Sequence, residues 1–220
     1  MLVDFNLPEV LEPRAAVSSY WLRYMFVGSP SQNRQINALA STYMRLVEAA
    51  VVEYGLAASA LRQVWSDHTS IGLPAMHRAI AHFEACVTDM HRAISAYRRL
   101  RSHRDRDPLS VHLADLKPSF LTDRVANQVR NMRDAIHHLE EKLNKGEVAE
   151  GQPIAVKPDG PEVPHPSEAG QTIKTFDRLV IGSHELAFAD IAAWLEEMSN
   201  AASRIGQFDP SKMQSPDAAA

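Results

Sequence analysis

The sequence predicts a mainly α-helical fold: an antiparallel helical bundle with a small β-hairpin and a terminal helix near its C-terminal end. Three observations carry this. Three long segments repeat their apolar residues at three- and four-residue steps. Proline and glycine punctuate the intervals between them. Aromatic residues make up only 7% of the chain while Ala and Leu are frequent, which favours helices over sheets.

Residues 1–33 hold Pro8, Pro13 and Pro30 around "VSSYWLRYMFVG", which reads as a short helix over 14–27 capping the core, then a loop from Gly28 to Asn33. The first long helix is expected over 34–65. There Ile36, Leu39, Tyr43, Leu46, Val47, Ala50, Val51 and Tyr54 form one apolar stripe, weakened locally by Gly55. "DHTSIGLP" is a turn whose Pro74 suits the first turn of the next helix. That second long helix is expected over 74–104, with Ile80, Phe83, Val87, Met90, Ile94 and Tyr97 as its stripe. Residues 105–118, with Pro108 and Pro118, read as a connection with room for one helical turn. The third long helix, over 119–144, carries Val125, Val129, Met132, Ile136, Leu139 and Leu143 at alternating steps of four and three. This is a narrow seam of bundle type, and Gly146 is placed to stop it.

Residues 1–146 therefore read as the helical bundle. Residues 147–170 change character, with five prolines, three glycines and few large apolar residues, and read as a loop or linker. Over 171–208, "IKTFDRLVIG" and "HELAF" flank Gly182-Ser183 as a hairpin. "DIAAWLEEMSNAASRI" follows as an amphipathic helix with Asp190 as N-cap, the hairpin and helix packing on the bundle. Residues 209–220 read as a disordered tail.

Composition narrows the function classes. The net charge of −4 argues against a protein that coats nucleic acid nonspecifically, though it leaves room for a local basic patch. The single cysteine, Cys86, allows no intrachain disulfide and no cysteine-based metal framework, and reads as a small core residue. No signal peptide is expected at "MLVDFNLPEV", and no apolar run approaches the ~18 residues of a membrane span, so a cytoplasmic protein without membrane contact is expected. The glycine-rich phosphate loops, the zinc-protease motif and the nucleophile elbow are all missing from the sequence.

The segment "RNMRDAIHHLEE", residues 130–141, raises the functional question. With the apolar seam set near 0°, Arg133 falls at roughly 80°, His137 at roughly 120° and Arg130 at roughly 140° on an ideal helix. Asp134 falls at roughly 180°, His138 at roughly 220° and Asn131 at roughly 240°. All six lie off the seam, as a solvated face would. A solvated face is ordinarily built from Glu, Lys and Gln, however. Two arginines and two histidines together can move a proton near neutral pH and stabilise developing negative charge, a combination suited to phosphoryl chemistry.

"RDAIHH", residues 133–138, resembles the signature of HEPN domains: an arginine, a polar residue, and a histidine separated from the arginine by four to six intervening residues. Arg133 and His138 fit with Asp134 in the polar position; Arg130 and His137 fit with Asn131 there. The following "LEE" is similar to the acidic stretch often found after that histidine. The resemblance covers about residues 34–146 and implies an all-α bundle, commonly dimeric, acting as a metal-independent endoribonuclease without cofactor. It implies RNA as substrate, a C2 homodimer with residues 130–141 near its axis, and an antitoxin or other protein as further partner in a defence or toxin–antitoxin setting. The implied chemistry leaves 2′,3′-cyclic phosphate ends. Spacing leaves the register open: Arg133 and His138 point about 140° apart on a straight helix, while Arg130 and His137 share a direction but lie roughly 10 Å apart along the axis.

Two other clusters invite weighing. "YRRLRSHRDR" places Arg98, Arg99, Arg101 and Arg104 at the end of the second long helix. They serve either as cations at a helix C-terminus or as contacts to an RNA backbone, with Tyr97 available for stacking. His77, His82 and His91, with Glu84 and Asp89 nearby, are spaced too irregularly for one turn of a helix face, so no metal site is expected. The rival to a ribonuclease is a non-catalytic helical interaction protein using the same face.

Overall fold

The computed structural model describes residues 2–64, 72–103, 107–146, 154–158 and 160–209. Among these the fold is mostly helical, with a small sheet. The elements are β1 (Leu2–Phe5), α1 (Arg14–Phe26), α2 (Arg34–Val64), α3 (Leu73–Arg101), α4 (Pro108–Ala114), α5 (Asp123–His137), α6 (Leu139–Asn144), β2 (Ile154–Pro158), β3 (Val163–Pro164), β4 (Thr172–Ile181), β5 (His184–Ala187) and α7 (Phe188–Gln207). No described helix is long and apolar enough to cross a membrane.

The helices α2 and α3 form the centre. Asn33 starts α2, its Oδ1 accepting from the N–H groups of Gln35 (2.8 Å) and Ile36 (3.4 Å). The helix runs unbroken through Gly55, where it meets no neighbour. The Gly72 N–H donates to the Val64 carbonyl at 2.9 Å, so the end of α2 and the start of α3 adjoin and the two helices run back along each other. Their stripes are buried much as the periodicity predicts, with Met44 inside and Leu39 only half-buried.

The terminal helix α7 is a full member of this core. Phe83 of α3 stacks on Phe188 with ring centroids 4.9 Å apart, a geometry worth about 0.5–1.5 kcal/mol beyond the area buried. The buried Tyr43 hydroxyl of α2 donates to the Met198 carbonyl at 2.9 Å, so its polar end is satisfied. Where α1 crosses α7, a Cβ at position 206 would sit 2.7 Å from the Ala16 carbonyl oxygen, and Gly206 is what permits the close approach. Asp190 lies in the first turn of α7 rather than at its N-cap: the helix begins at Phe188, so the cap position falls on Ala187.

The third long helix is not one helix. Ser119–Leu121 form a 3-10 turn, and Thr122 is extended (φ −59°, ψ 147°), its hydroxyl capping α5 by accepting from the Val125 N–H at 3.4 Å. A second irregularity falls at His138 (φ −101°, ψ 12°), between α5 and α6. The expected seam holds through Val125, Val129 and Met132, but Leu143 is 50% exposed because α6 no longer follows the core. Gly146, at φ +67°, ends α6 in the left-handed conformation that favours glycine.

The hairpin expected around Gly182-Ser183 is β4 and β5, but the sheet is larger. Strands β2 and β3 run antiparallel along β4, with Ile154 opposite Ile181 and Pro164 opposite Thr172. Two strands therefore fall inside residues 147–170, the segment expected to be a linker. Strand β1 pairs with β4 in parallel, Leu2 opposite Ile173. Residues 147–153 and the tail after Asp209 lie outside the described residues.

Candidate functional site

The seam of α5 packs on α3, and this sets the rotation of every other side chain on the helix. Arg130, Arg133 and His137 form one flank, on the side of His91 of α3. His91 is half-buried and its ring is pushed toward the neutral form, first by burial and then by Arg133, with Arg130 and His137 adding to this and Asp134 opposing it. Two atoms of this cluster, His91 Nδ1 and Arg133 Nε, are buried without a hydrogen-bond partner. Arg130 and His137 are exposed.

The other flank faces the hairpin across a concavity of about 460 Å³, lined by Asn131, Asp134, His138, Lys142, Lys145 and His184 among others. The Gln128 side chain donates to the Glu185 carbonyl at 3.3 Å and ties β5 to α5 at this edge. Backbone geometry at His138 turns the ring toward α6, where its Nδ1 lies 3.3 Å from the Glu141 carboxylate. Glu141 also accepts from Lys145 Nζ at 2.5 Å, and these two contacts, Lys145 first, hold its carboxyl below the usual range. A histidine whose Nδ1 is directed at a carboxylate keeps Nε2 available to accept a proton.

Asp134 joins the two flanks. It lines the concavity with His138 and accepts from Arg133 Nη1 at 2.7 Å, and that bond is the main reason its carboxyl is held below the usual range. Of the two expected pairs, only Arg133 and His138 are separated: Arg130 and His137 lie together with Arg133 on one side, and His138 and Asn131 lie on the other. Glu141, Lys142 and Lys145 could have been found from their three-, four- and seven-residue spacing after His138. His91 and His184 could not, since each arrives from a separate element.

The arginines at the end of α3 work mostly within the chain. Arg98 donates to the Leu121 carbonyl at 2.7 Å and to Asp123 at 3.1 Å. Arg101 donates to the Ala114 carbonyl through Nη2 (2.7 Å) and Nε (3.2 Å), satisfying the end of α4. Arg99 is exposed and has no hydrogen bond or ion pair among the described residues, while Arg104 lies outside them. Tyr97 is fully buried against Tyr43 and Phe120, and burial raises its hydroxyl to about 12, so it cannot stack on a base.

Elsewhere, His82 is engaged by Glu53 at 2.7 Å, and no three His, Cys, Asp or Glu side chains converge as metal ligands would among the described residues. Cys86 is buried, its thiol directed at Met90 Sδ (3.8 Å), and burial pushes its ionisation well up, as for an inert core thiol. A second concavity, about 510 Å³, lies between Leu116, Lys117, Glu197 and Arg204. It contains no histidine, and its Glu197 already accepts from the Ser119 N–H at 2.6 Å, so its size is not matched by proton-transfer chemistry. No family model, curated protein or solved structure matches this chain.

Proposed function

We propose that this protein is a HEPN-like, metal-independent endoribonuclease that cleaves RNA at the concavity beside α5. The observation that supports this most is His138: its Nδ1 is directed at Glu141, its ring borders a cleft, and two lysines stand on the same cleft. His138 accepts the proton of a ribose 2′-hydroxyl, which attacks the adjacent phosphorus. Lys142 and Lys145 offset the charge on the phosphate oxygens, and Arg133 supports them from the rim through Asp134. Arg130 and His137 contact neighbouring phosphates on the outer flank. By the family resemblance the working unit is a C2 homodimer with residues 130–141 near the axis. Light scattering that returns a monomer over a wide concentration range would exclude that assembly.

The test is digestion of a mixed RNA pool with and without chelator. Fragments ending in 2′,3′-cyclic phosphate, formed equally in both arms, are the expected outcome; RNA left intact overturns the reading. A second reading, a non-catalytic interaction module, is favoured by one feature. Met25, Phe26 and Val27 at the end of α1 are 66%, 81% and 79% exposed, a contiguous apolar surface of the kind that binds protein. An antitoxin or another protein partner would occupy it.

A further inference from the structure

We propose that His184, at the start of β5, is a second catalytic histidine, the acid that protonates the departing 5′-oxygen. This rests on the cleavage reading above and assigns its missing half. Displacement at phosphorus runs in line, so the attacking and leaving oxygens lie on opposite sides of the reacting atom. One group attached to one wall cannot serve both. The concavity supplies a histidine from each wall: His138 from the α5–α6 junction and His184 from the hairpin.

Position and chemistry both favour His184 over its neighbours. Its backbone is held where the hairpin closes, opposite the buried Ile181, and the adjoining Glu185 carbonyl is bonded to Gln128 of α5. The side chain is half-buried and borders the same space as His138, Asn131 and Asp134. Lys142 and Lys145 are the other proton carriers there, but an ammonium gives up its proton reluctantly near neutrality, whereas an imidazolium does so readily. Asp134 and Glu141 hold their protons too weakly to be donors, since Arg133 and Lys145 respectively favour their charged forms. A concavity of about 460 Å³ accommodates a ribose and its phosphate.

The step balances without any further reagent. The 2′-oxygen forms its bond to phosphorus as its proton passes to His138, and the bond from phosphorus to the 5′-oxygen breaks. That oxygen leaves as a hydroxyl with the proton from His184. The products are a 2′,3′-cyclic phosphate and a 5′-hydroxyl, and exchange with water restores both histidines.

Leaving-group dependence tests this. Wild type, His138→Ala, His184→Ala and His184→Gln are assayed on an RNA oligonucleotide and on a ribonucleoside 3′-(4-nitrophenyl phosphate), whose nitrophenolate departs without a proton. Both His184 variants should lose about 10²-fold on RNA and stay within about threefold of wild type on the nitrophenyl ester. His138→Ala should lose on both substrates. If His184 variants cleave RNA like wild type, or lose equally on both substrates, the assignment is overturned while the cleavage reading stands. Wild type inert on both substrates overturns both together. His184→Gln keeps a polar side chain of similar reach in the turn, so it decides the matter if the alanine variant fails to fold.

Discussion

The two flanks of α5 carry similar side chains and do different things, because different elements pack over them. On the flank toward α3, Arg130, Arg133 and His137 meet His91, another group that is cationic when protonated, and burial with the arginines pushes that ring toward its neutral form. On the flank toward the hairpin, Asn131, Asp134 and His138 meet lysines, Glu141 and His184 around open space. Like charges crowd the first flank, and two of its buried nitrogens, His91 Nδ1 and Arg133 Nε, lack hydrogen-bond partners. In the second, each carboxylate is paired with a cation, and a histidine is oriented by one of them. The lesson is that an arginine–histidine motif on a helix does not specify a site until its surroundings separate a group that is held for reaction from one that is merely charged.

The largest effect expected is that of His138→Ala, which should lower RNA cleavage by about 10²-fold or more with folding unchanged, since the side chain is exposed. Arg133→Ala should lower it by a similar order, because Asp134 loses the partner that joins the flanks. Retained activity in both variants, read as initial rates on one RNA, would break the comparison.

Glu141→Gln comes next. If Glu141 orients His138, the substitution should lower kcat by about 10-fold while KM changes little, the pattern of a positioning residue acting through its neighbour. A change confined to KM would instead make Glu141 a binding group.

Smaller effects belong to the other two residues of the α3 flank. Arg130→Ala and His137→Ala should each raise KM by about two- to fivefold and leave kcat intact, and Arg130→Ala should reduce the salt dependence of RNA binding by about one ion. If His137→Ala abolishes cleavage and His138→Ala does not, the flanks have exchanged roles.

The smallest effect concerns stability. Since the fold favours neutral His91, the unfolded chain binds that proton more readily. This contribution to stability is therefore complete above the ordinary histidine value of about 6.5 and is lost as pH falls below it. Urea midpoints at about pH 7.5 and about pH 5.5 should differ less for His91→Gln than for wild type. An unchanged difference would show that the α3 flank imposes no such penalty.

Much of the fold was legible in the residues. Apolar steps of three and four located α2 and α3 to within a few residues, the apolar-aromatic segment between prolines located α1, an amphipathic segment located α7, and Gly182-Ser183 located the hairpin. Each of these signals is local, carried by residues one or two turns apart. The strands β1, β2 and β3 were missed because each is short and takes its backbone partner from β4, so none is recognisable without that partner. The break at His138 was missed because the apolar seam from Val125 to Leu143 runs through it without interruption, and the one at Thr122 lies just before that seam begins.

What the sequence determined alone is the rotation of α5: Val125, Val129 and Met132 must face the core, and this sends Arg133 with His137 one way and Asp134 with His138 the other. Helical geometry is the same wherever the helix lies, so that division needs no knowledge of neighbours. Only the tertiary structure decided what stands opposite each flank. His91 is about forty residues before the motif and His184 about fifty after it, and they reach α5 because α3 and the hairpin are packed there. Contacts between distant segments follow from how whole faces bury against each other, which no local spacing records.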